Sequence, residues 1–232
     1  MELTGREFEA VAAHAGLAYL RYSFTKGTEQ EAAFILDALG LKAGVRLVDV
    51  GCGPGRHCHA LARAGIEVVG LDISSAFLQA AGDGSWVRAD ARRLPFRPHS
   101  FDAAISLCQG GFGLLGGDDD AQVLGQMAES VKRGGRIAVS AFSSYFAVRH
   151  LEPGEVFDAG SGVNHERAEV RDPSGQPATF DLWTTCFTPR ELRLMAASAG
   201  ITVRSIWSVA PGSYSDRPPD LDHPEFLLVG EV

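Results

Sequence analysis

The sequence predicts an α/β fold, with a doubly wound, mostly parallel sheet that an antiparallel strand closes. Apolar runs rich in β-branched residues alternate with amphipathic stretches between residues 45 and 141. Glycine-containing turns separate these segments, and two more β-rich runs follow near the end of the chain. Strands that alternate with helices pair in parallel through right-handed crossovers, so the expected sheet is Rossmann-like.

Two helices are predicted before the first strand. Apolar residues recur at helical spacing over residues 6–22, and a second helix begins at Thr28. We interpret Thr28 and Glu31 as a capping box, in which each side chain bonds the backbone N–H of the other residue. Gly40 is the expected end of this second helix.

The central part of the chain supplies the parallel strands. Residues 45–50 form a short apolar run, as expected for a strand that is buried on both faces. The predicted elements are, in order, strand 45–50, helix 56–64, strand 67–71, a short helix capped by Ser74 or Ser75, strand 85–88, strand 102–107, helix 118–131 and, after Gly134-Gly135, strand 136–141.

The pattern changes after about Phe142. Residues 143–162 show no clear periodicity, whereas a strong turn at 172–175 predicts an antiparallel hairpin on either side of it. The remaining predicted elements are hairpin strands 163–171 and 178–187, a helix from the Thr188–Glu191 capping box to Gly200, and closing strands 201–209 and 225–231, joined by an exposed loop at 213–223. We therefore expect residues 1–232 to form one domain with an inserted segment at 143–187.

Composition narrows the functional classes. The 232 residues include 21 Lys and Arg against 29 Asp and Glu, a net charge of −8, which argues against a general affinity for nucleic acid or acidic membranes. The four cysteines do not make a disulfide framework, and no apolar run has the length of a transmembrane helix. The N-terminus lacks the pattern of a secretory signal, so a soluble cytoplasmic protein is expected, as a monomer or homodimer.

The 27 glycines are an excess, and their most informative cluster is Gly51, Gly53 and Gly55 at the exit of the first strand. Glycine lets the backbone approach a ligand closely, and the N–H groups at the start of the next helix favour an anionic group. The dinucleotide fingerprint G-x-G-x-x-G is absent, because bulky Arg56 stands at its third glycine. No Gly-Lys-Ser/Thr follows either, which excludes a phosphate-binding P-loop.

Two carboxylates follow the next two strands. Asp72 ends the second strand and can accept hydrogen bonds from both hydroxyls of a ribose. Asp90 follows the third strand and can accept from an exocyclic amine such as adenine N6. Each of these residues alone is equally well explained as an ordinary turn or capping residue. The glycine loop, Asp72 and Asp90 in this order nevertheless favour a nucleoside site at the carboxyl edge of the sheet.

These motifs resemble the class I S-adenosylmethionine-dependent methyltransferases, closely over residues 28–142 and loosely beyond. Val48-Asp49-Val50-Gly51-Cys52-Gly53-Pro54-Gly55 resembles the first motif of the family, and Gly70-Leu71-Asp72-Ile73-Ser74 the second. Arg88-Ala89-Asp90-Ala91 resembles the adenine-binding stretch, and Lys132-Arg133-Gly134-Gly135 the turn before the fifth strand, with Arg133 where the family commonly has Pro. The resemblance implies S-adenosyl-L-methionine as cofactor, S-adenosyl-L-homocysteine as product, and these cofactor-binding residues: Asp49, Gly51, Cys52, Gly53, Gly55, Asp72, Ile73, Asp90, Ala91, Leu107, Cys108 and Gln109.

The same resemblance locates the acceptor site. The glycine-rich loop 109–117 would face the transferred methyl group, although a flexible connector explains it equally well. Residues 1–27 would form a helical lid, or else only cover the sheet, and the 143–187 insertion would complete the substrate pocket. The candidate pocket residues are Tyr22, Phe112, Tyr145 and His165, and His165 is the first candidate for a general base if the reaction needs one.

A metal site is not expected. Cys52, His57, Cys58 and His59 lie close in sequence, but five residues separate the two cysteines and no second ligand pair of zinc spacing follows. The three consecutive residues 57–59 also point in different directions from a helix.

The expected function is methyl transfer to an O, N or C nucleophile of a small molecule. A nucleic-acid acceptor is disfavoured, because Ser106-Leu107-Cys108-Gln109 stands where base-amino methyltransferases have Asn/Asp-Pro-Pro-Tyr/Phe. Two alternatives stay open: a nicotinamide-dependent oxidoreductase, and a methyltransferase-like scaffold that binds the cofactor without turnover. The sequence does not identify the acceptor.

Overall fold

The computed structural model describes residues 7–114 and 118–232. The helices in these residues are α1 (Glu7–Ala15), α2 (Thr28–Leu39), α3 (Arg56–Arg63), α4 (Ser75–Ala80), α5 (Asp118–Ser130), α6 (Ser144–Arg149) and α7 (Pro189–Ser198), with 3₁₀ turns at Gly16–Arg21 and Ser23–Thr25. The strands are β1 (Arg46–Val50), β2 (Glu67–Asp72), β3 (Trp86–Arg88), β4 (Phe101–Ser106), β5 (Val131–Ser143), β6 (Val156–Asp158), β7 (Val163–Arg171), β8 (Pro177–Phe187), β9 (Thr202–Val209) and β10 (Glu225–Glu231).

The central sheet has the order β3-β2-β1-β4-β5-β10-β9. The first five strands of this order run parallel, and β10 enters antiparallel between β5 and β9. This arrangement confirms the predicted doubly wound α/β sheet with an antiparallel closing strand. Chain order reverses between β1 and β4, and ligands of open α/β sheets bind beside such a switch point, at the carboxyl ends of the strands.

The predicted hairpin forms a second, antiparallel sheet. Strands β7 and β8 pair along their whole length, and β6 adds a short third strand. The end of β8 also pairs with the end of β5, at Phe142 with Cys186 and at Ser143 with Phe187. This junction places the hairpin above the carboxyl edge of the central sheet.

Successive residues of the strands face opposite layers of helices. On one side, Val48 and Val50 of β1 pack with α5 and α7, and on the other Leu47 packs with α2 and α3. In both helix layers, fully buried apolar side chains pack against the sheet. This packing fixes the strand ends at the carboxyl edge from two sides.

The predicted capping box of α2 is wrong. The N-cap is Gly27, without a side-chain hydrogen bond, and the hydroxyl of Thr28 donates to the carbonyl of Thr25. The Glu31 carboxylate turns into the protein, where it is fully buried among other partners. A buried carboxylate that bonds a cationic side chain is stabilised more than a carboxylate that bonds the backbone N–H groups of an exposed helix end. The capping box predicted for α7 at Thr188 and Glu191 is confirmed.

Three further differences concern the second half of the chain. Strand β5 continues through Gly134-Gly135, because the Gly134 N–H donates to the Val232 carbonyl and the Val232 N–H to the Gly135 carbonyl. Residues 144–149, which have no clear sequence pattern, form α6 with Ser143 as N-cap. The 213–223 link is not wholly exposed, since Tyr214 is buried against α2 and β9.

Candidate functional site

A cavity of about 400 Å³ opens at the carboxyl edge of β1, β2 and β4. Its floor comes from the loops after these strands, and its walls come from the N-terminal segment and from one face of the hairpin. From β7, the alternating residues Glu166, Ala168 and Val170 line it together with the neighbouring Glu169, and Leu182 of β8 lies beside them. The cavity therefore joins the predicted cofactor edge to the two predicted substrate-pocket segments.

The first glycine loop forms the floor. Gly51, Gly53 and Gly55 all have positive φ, at 76°, 55° and 75°, a backbone conformation that other residues rarely adopt. The N–H groups of Gly51 and Cys52 both donate to the Leu71 carbonyl, at 2.7 and 2.9 Å, which ties the loop to the end of β2. The loop is thus shaped by its own strands before any ligand binds.

A second glycine loop closes onto the first. Gly110 and Gly111 lie against Gly51 and Val50, with no space for a side chain at any of the three glycines. Cys108 and Gln109 precede them with φ values of 52° and 57°, which are uncommon outside glycine. The 109–117 loop predicted to face the acceptor is described through Leu114, and residues 115–117 lie outside the described part of the chain.

Asp72 links the two motifs of the predicted nucleoside site. Its Oδ2 accepts the Gly53 N–H at 2.8 Å, and its Oδ1 accepts the Ser74 N–H at 2.8 Å. Burial raises the pKa of this carboxyl to about 6, although both N–H donors oppose the shift. Two carboxylate oxygens offer about four lone pairs, so two remain for the hydroxyls of a ribose.

Asp90 lies on the same wall, with Ala91 beside it. Its carboxylate receives the Arg92 guanidinium, with Nη2 at 2.7 Å and Nε at 3.0 Å. Arg92 also bonds Asp119 of α5, at 2.9 Å, which fixes the loop after β3 to the helix.

Aromatic side chains of the N-terminal segment cover the cavity. Tyr19 lies 5.0 Å from Phe77 of α4 and 5.4 Å from Phe24, measured between ring centroids. Tyr22 stacks on Phe24, and its hydroxyl accepts the Arg171 N–H of β7 at 3.2 Å. The segment is thereby bonded to the hairpin across the cavity, as a lid would be.

A buried polar cluster, formed by Glu31, Arg56, His57 and Cys108, lies at one end of the cavity. Arg56 donates from Nη1 to Glu31 and contacts the Cys108 thiol from Nη2 at 2.8 Å. His57 Nε2 lies 2.7 Å from the same Glu31 oxygen, and the Gly212 N–H donates to the other oxygen. Burial would raise the pKa of Glu31, but the bonds from His57 and the charge of Arg56 lower it to about 2.

Glu31, His57 and Cys108 also place three metal-ligating atoms within 4.8 Å of one another. The guanidinium of Arg56 already contacts both the carboxylate and the thiol, so it supplies the positive charge that an ion would otherwise bring. The sequence does not indicate this cluster, because Thr28 and Glu31 also match the pattern of a helix cap.

Ten of the twelve predicted cofactor-binding residues lie on the cavity wall. They are Gly51, Cys52, Gly53, Asp72, Ile73, Asp90, Ala91, Leu107, Cys108 and Gln109. Asp49 lies below the floor, where its buried carboxylate accepts the Cys58 thiol at 3.3 Å. Gly55 caps α3 and lies against the ring of Trp86.

Of the predicted substrate-pocket residues, Tyr22 lies on the wall and Phe112 does not. Phe112 is fully buried in the core and stacks on Phe187, with ring centroids 4.9 Å apart. The backbone beside Phe112 is fixed by bonds from the Gly113 N–H to Asp120 and from the Thr185 N–H to the Gly113 carbonyl. Its role in the structure is packing between α5 and the hairpin.

Tyr145 and His165 also lie outside the cavity wall. Tyr145 is largely exposed on α6, with one edge against Phe226. His165 alternates with the cavity-facing residues of β7 and therefore points away; its ring stacks on Trp183, and Nε2 lies 2.8 Å from Asp181. The structure gives His165 a partner but no access to the site.

The fold and the motifs on the cavity wall resemble those of the class I S-adenosylmethionine-dependent methyltransferases. Residues 48–139 match the family model described as a methyltransferase domain. This confirms the resemblance that the motifs carry.

Among curated proteins, the chain is similar to the demethylmenaquinone methyltransferase of Renibacterium salmoninarum, with 34% identity over 113 residues, 47% of this chain and 46% of that protein. The protein of the same name in Corynebacterium kroppenstedtii is 37% identical over 105 residues, 44% of each chain. The chain therefore spans less than half the length of the curated relatives it matches.

Among solved structures, the CcbJ methyltransferase from Streptomyces caelestis has a TM-score of 0.74 at 20% identity, covering 97% of this chain and 98% of its own. S-adenosylmethionine-bound CalS10, an amino pentose methyltransferase from Micromonospora echinaspora, has a TM-score of 0.65 at 21% identity, covering 93% and 95%. These likenesses extend the fold assignment over nearly the whole chain. Within the described residues, no helix combines the length and apolarity needed to span a membrane.

Proposed function

We propose that this protein transfers the methyl group of S-adenosylmethionine to a nucleophilic atom of a small molecule held in the cavity. The observation that carries the proposal is the shared wall: Gly51, Gly53, Asp72 and Asp90 all line one 400 Å³ space. That volume lies within the range of pockets for small ligands and cofactors.

The wall residues suit the three parts of the cofactor. The side of the cavity at Asp90 and Ala91 suits adenine, and the free lone pairs of Asp72 suit the ribose hydroxyls. The methionine part would extend over Gly51 toward the α3 N-terminus, where backbone N–H groups and Arg56 favour a carboxylate. Trp86 beside Gly55 and the packed glycine loops hold this arrangement in place.

The bound cofactor supplies an electrophilic methyl carbon on a positively charged sulfur. The protein then has to align the acceptor atom with this carbon, and positioning of this kind supplies much of the rate enhancement. Leu107 to Gln109 lie at the point where the cofactor edge meets the hairpin wall. The aromatic lid and the hairpin exclude water from the reaction, which also protects the cofactor from hydrolysis.

We propose that the acceptor lies between the lid and the hairpin. Tyr19, Tyr22, Phe24, Val170 and Leu182 give this part of the cavity apolar surface, to which Glu166 and Glu169 of β7 add two carboxylates. The methyltransferase-domain model matches the cofactor half, residues 48–139, and not the hairpin, and the match to a demethylmenaquinone methyltransferase spans 47% of this chain. A quinone is therefore one candidate acceptor, and an amino pentose, which the name of CalS10 gives for that protein, is a polar alternative.

Labelled methyl transfer tests the proposal. The purified protein is incubated with methyl-tritiated S-adenosylmethionine and a panel of quinols, phenols and amines, and label in organic extracts is counted. We expect label in at least one acceptor, and its loss in an Asp72→Asn variant. A thermal shift with NADH and none with S-adenosylhomocysteine would instead support the oxidoreductase alternative.

A further inference from the structure

Glu225 is a buried carboxylate of the cavity that the family motifs do not include. It is the first residue of β10, and β10 runs antiparallel to β5, so Glu225 pairs with Phe142 at the carboxyl edge. Only 3% of its surface is exposed, yet it lines the cavity together with Phe142 and Cys108. Its position is thus on the side of the site where β4, β5 and the hairpin meet.

In the described part of the chain, no cationic side chain lies within bonding distance of the Glu225 carboxylate. The Tyr214 hydroxyl donates to Oε2 at 3.5 Å, and the Ser140 hydroxyl of β5 is its second partner. Ser140 is itself fixed, because its oxygen accepts the Cys108 N–H at 2.7 Å. Arg56 faces Glu225 from α3 but bonds Glu31 instead.

The titratable groups that face Glu225 come from five elements. They are Glu31 of α2, Arg56 of α3, Cys108 after β4, Tyr214 of the link and Tyr19 of the first 3₁₀ turn; the Ser140 hydroxyl of β5 is a hydrogen-bond partner that does not titrate. Burial raises the pKa of Glu225 to about 7, with Glu31 adding to the shift and Arg56 opposing it. A carboxyl with this pKa exchanges protons near neutrality, as a general base must.

We propose that Glu225 accepts the proton that the acceptor atom loses during methyl transfer; this inference rests on the function proposed above. The lone pair of the acceptor atom forms the bond to the methyl carbon, and the carbon–sulfur electron pair stays on sulfur. The acceptor proton passes to the Glu225 carboxylate and later leaves to solvent. The positive charge of the cofactor and the negative charge of Glu225 are thereby both neutralised. The acceptor class is a proton-bearing nucleophile, such as a phenol, an enol or an amine.

A pair of cofactor analogues tests this without a known acceptor. S-adenosylhomocysteine is neutral at sulfur, whereas sinefungin carries an ammonium group in place of the sulfonium methyl, near the position of the acceptor atom. The affinities of both are measured by calorimetry for the wild type and for Glu225→Gln. The matched control is Glu231→Gln at the other end of β10, where the carboxylate pairs with Arg136 and Arg204 on the surface.

We expect Glu225→Gln to weaken sinefungin by about 10- to 100-fold and S-adenosylhomocysteine by less than about threefold, with Glu231→Gln changing neither. Equal weakening of both analogues would assign Glu225 to the amino-acid end of the cofactor, and no weakening would assign it to structure alone. Either result overturns the proposal.

The wild type gives a second readout that does not depend on the variant folding. Calorimetry at pH 7 in buffers of different ionisation enthalpy counts the protons released on binding. We expect sinefungin to release about half a proton more than S-adenosylhomocysteine, because its ammonium group ionises Glu225. Equal proton release by the two analogues overturns the role of Glu225. Failure of both analogues to bind overturns the proposed function itself.

Discussion

Gly51 and Gly110 lie backbone against backbone: a Cβ atom placed on Gly51 would be 1.9 Å from the carbonyl carbon of Gly110. The loop after β1 and the loop after β4 therefore form one packed floor beneath the cavity. Because the two backbones are in contact, one loop cannot shift toward the other without displacing it. The residue types in both loops are therefore limited by this contact as well as by a ligand.

Gly51→Ala is expected to disrupt this floor. The new methyl group would overlap the Gly110 backbone, and alanine is strained at a φ of 76°. We expect the free energy of unfolding to fall by about 2–4 kcal/mol and S-adenosylhomocysteine binding to be lost, as measured by urea denaturation and calorimetry. Gly125→Ala is the control, because helix α5 leaves open space there. A stable Gly51→Ala variant with full affinity would refute the contact.

The ionisation of Asp72 predicts opposite effects of pH on stability and on binding. Burial raises its folded pKa to about 6, above the ordinary value of 3.8. Its contribution to the stability of the ligand-free protein is therefore complete below pH 3.8 and is lost as the pH rises through 6. Binding needs the ionised carboxylate to accept ribose hydroxyls, so affinity for S-adenosylhomocysteine should rise over the same range, by about tenfold between pH 5 and 7.

Calorimetry from pH 5 to 8 measures this, with Asp72→Asn as the reference. The variant should bind more weakly and with a flatter pH profile than the wild type. Parallel profiles would show that another group controls the pH dependence.

Glu31→Gln is expected to be far more damaging than a change at a helix cap. It would leave the buried guanidinium of Arg56 without its carboxylate, at a cost of about 3–5 kcal/mol in the free energy of unfolding. Glu191→Gln, in the confirmed capping box of α7, should cost about 1 kcal/mol or less. Urea denaturation of the two variants compares them directly, and similar costs would contradict the buried role of Glu31.

The same carboxylate predicts a contribution to acid unfolding. The folded pKa of Glu31 is lowered to about 2 from an ordinary value of 4.5. Its contribution to stability is therefore present above pH 4.5 and is lost as the pH falls toward 2. The wild type should lose stability over this range more steeply than Glu31→Gln, as followed by thermal unfolding.

Substitutions at Phe112 and His165 are expected to have different effects, because Phe112 packs in the core and His165 faces away from the cavity. Phe112→Ala removes a fully buried ring that stacks on Phe187, and should cost about 3–5 kcal/mol of stability. His165→Ala should cost less than about 1 kcal/mol and leave methyl transfer intact, because the ring faces away from the cavity. Loss of transfer in His165→Ala, with cofactor affinity unchanged, would restore it as a candidate base.

Local signals predicted the fold, and they also predicted which motif residues meet at the carboxyl edge of the sheet. Gly51, Asp72 and Asp90 lie at the ends of the consecutive parallel strands β1, β2 and β3, so strand position alone brings them to one edge. The hairpin was equally local, since the turn at 172–175 lies between two alternating runs.

Long-range partners could not be predicted in the same way. Glu31 bonds the Gly212 N–H from 181 positions away, and a nearby Thr offered a simpler local interpretation as a cap. Tyr214 is buried although its neighbours are typical of a loop, and Glu225 looks like the polar start of an edge strand. His165 required knowledge of the hairpin register, because a shift of one residue reverses the face on which a side chain lies.

Calorimetric titration of the wild type with S-adenosylhomocysteine, alongside Asp72→Asn and Asp102→Asn, tests the central claim most directly. Asp102 is the matched control, since its carboxylate pairs with Lys132 on β5 and does not line the cavity. We predict one bound ligand per chain, an affinity about 10- to 100-fold weaker in Asp72→Asn, and no change in Asp102→Asn. No binding to the wild type, or equal affinity in Asp72→Asn, would contradict the account.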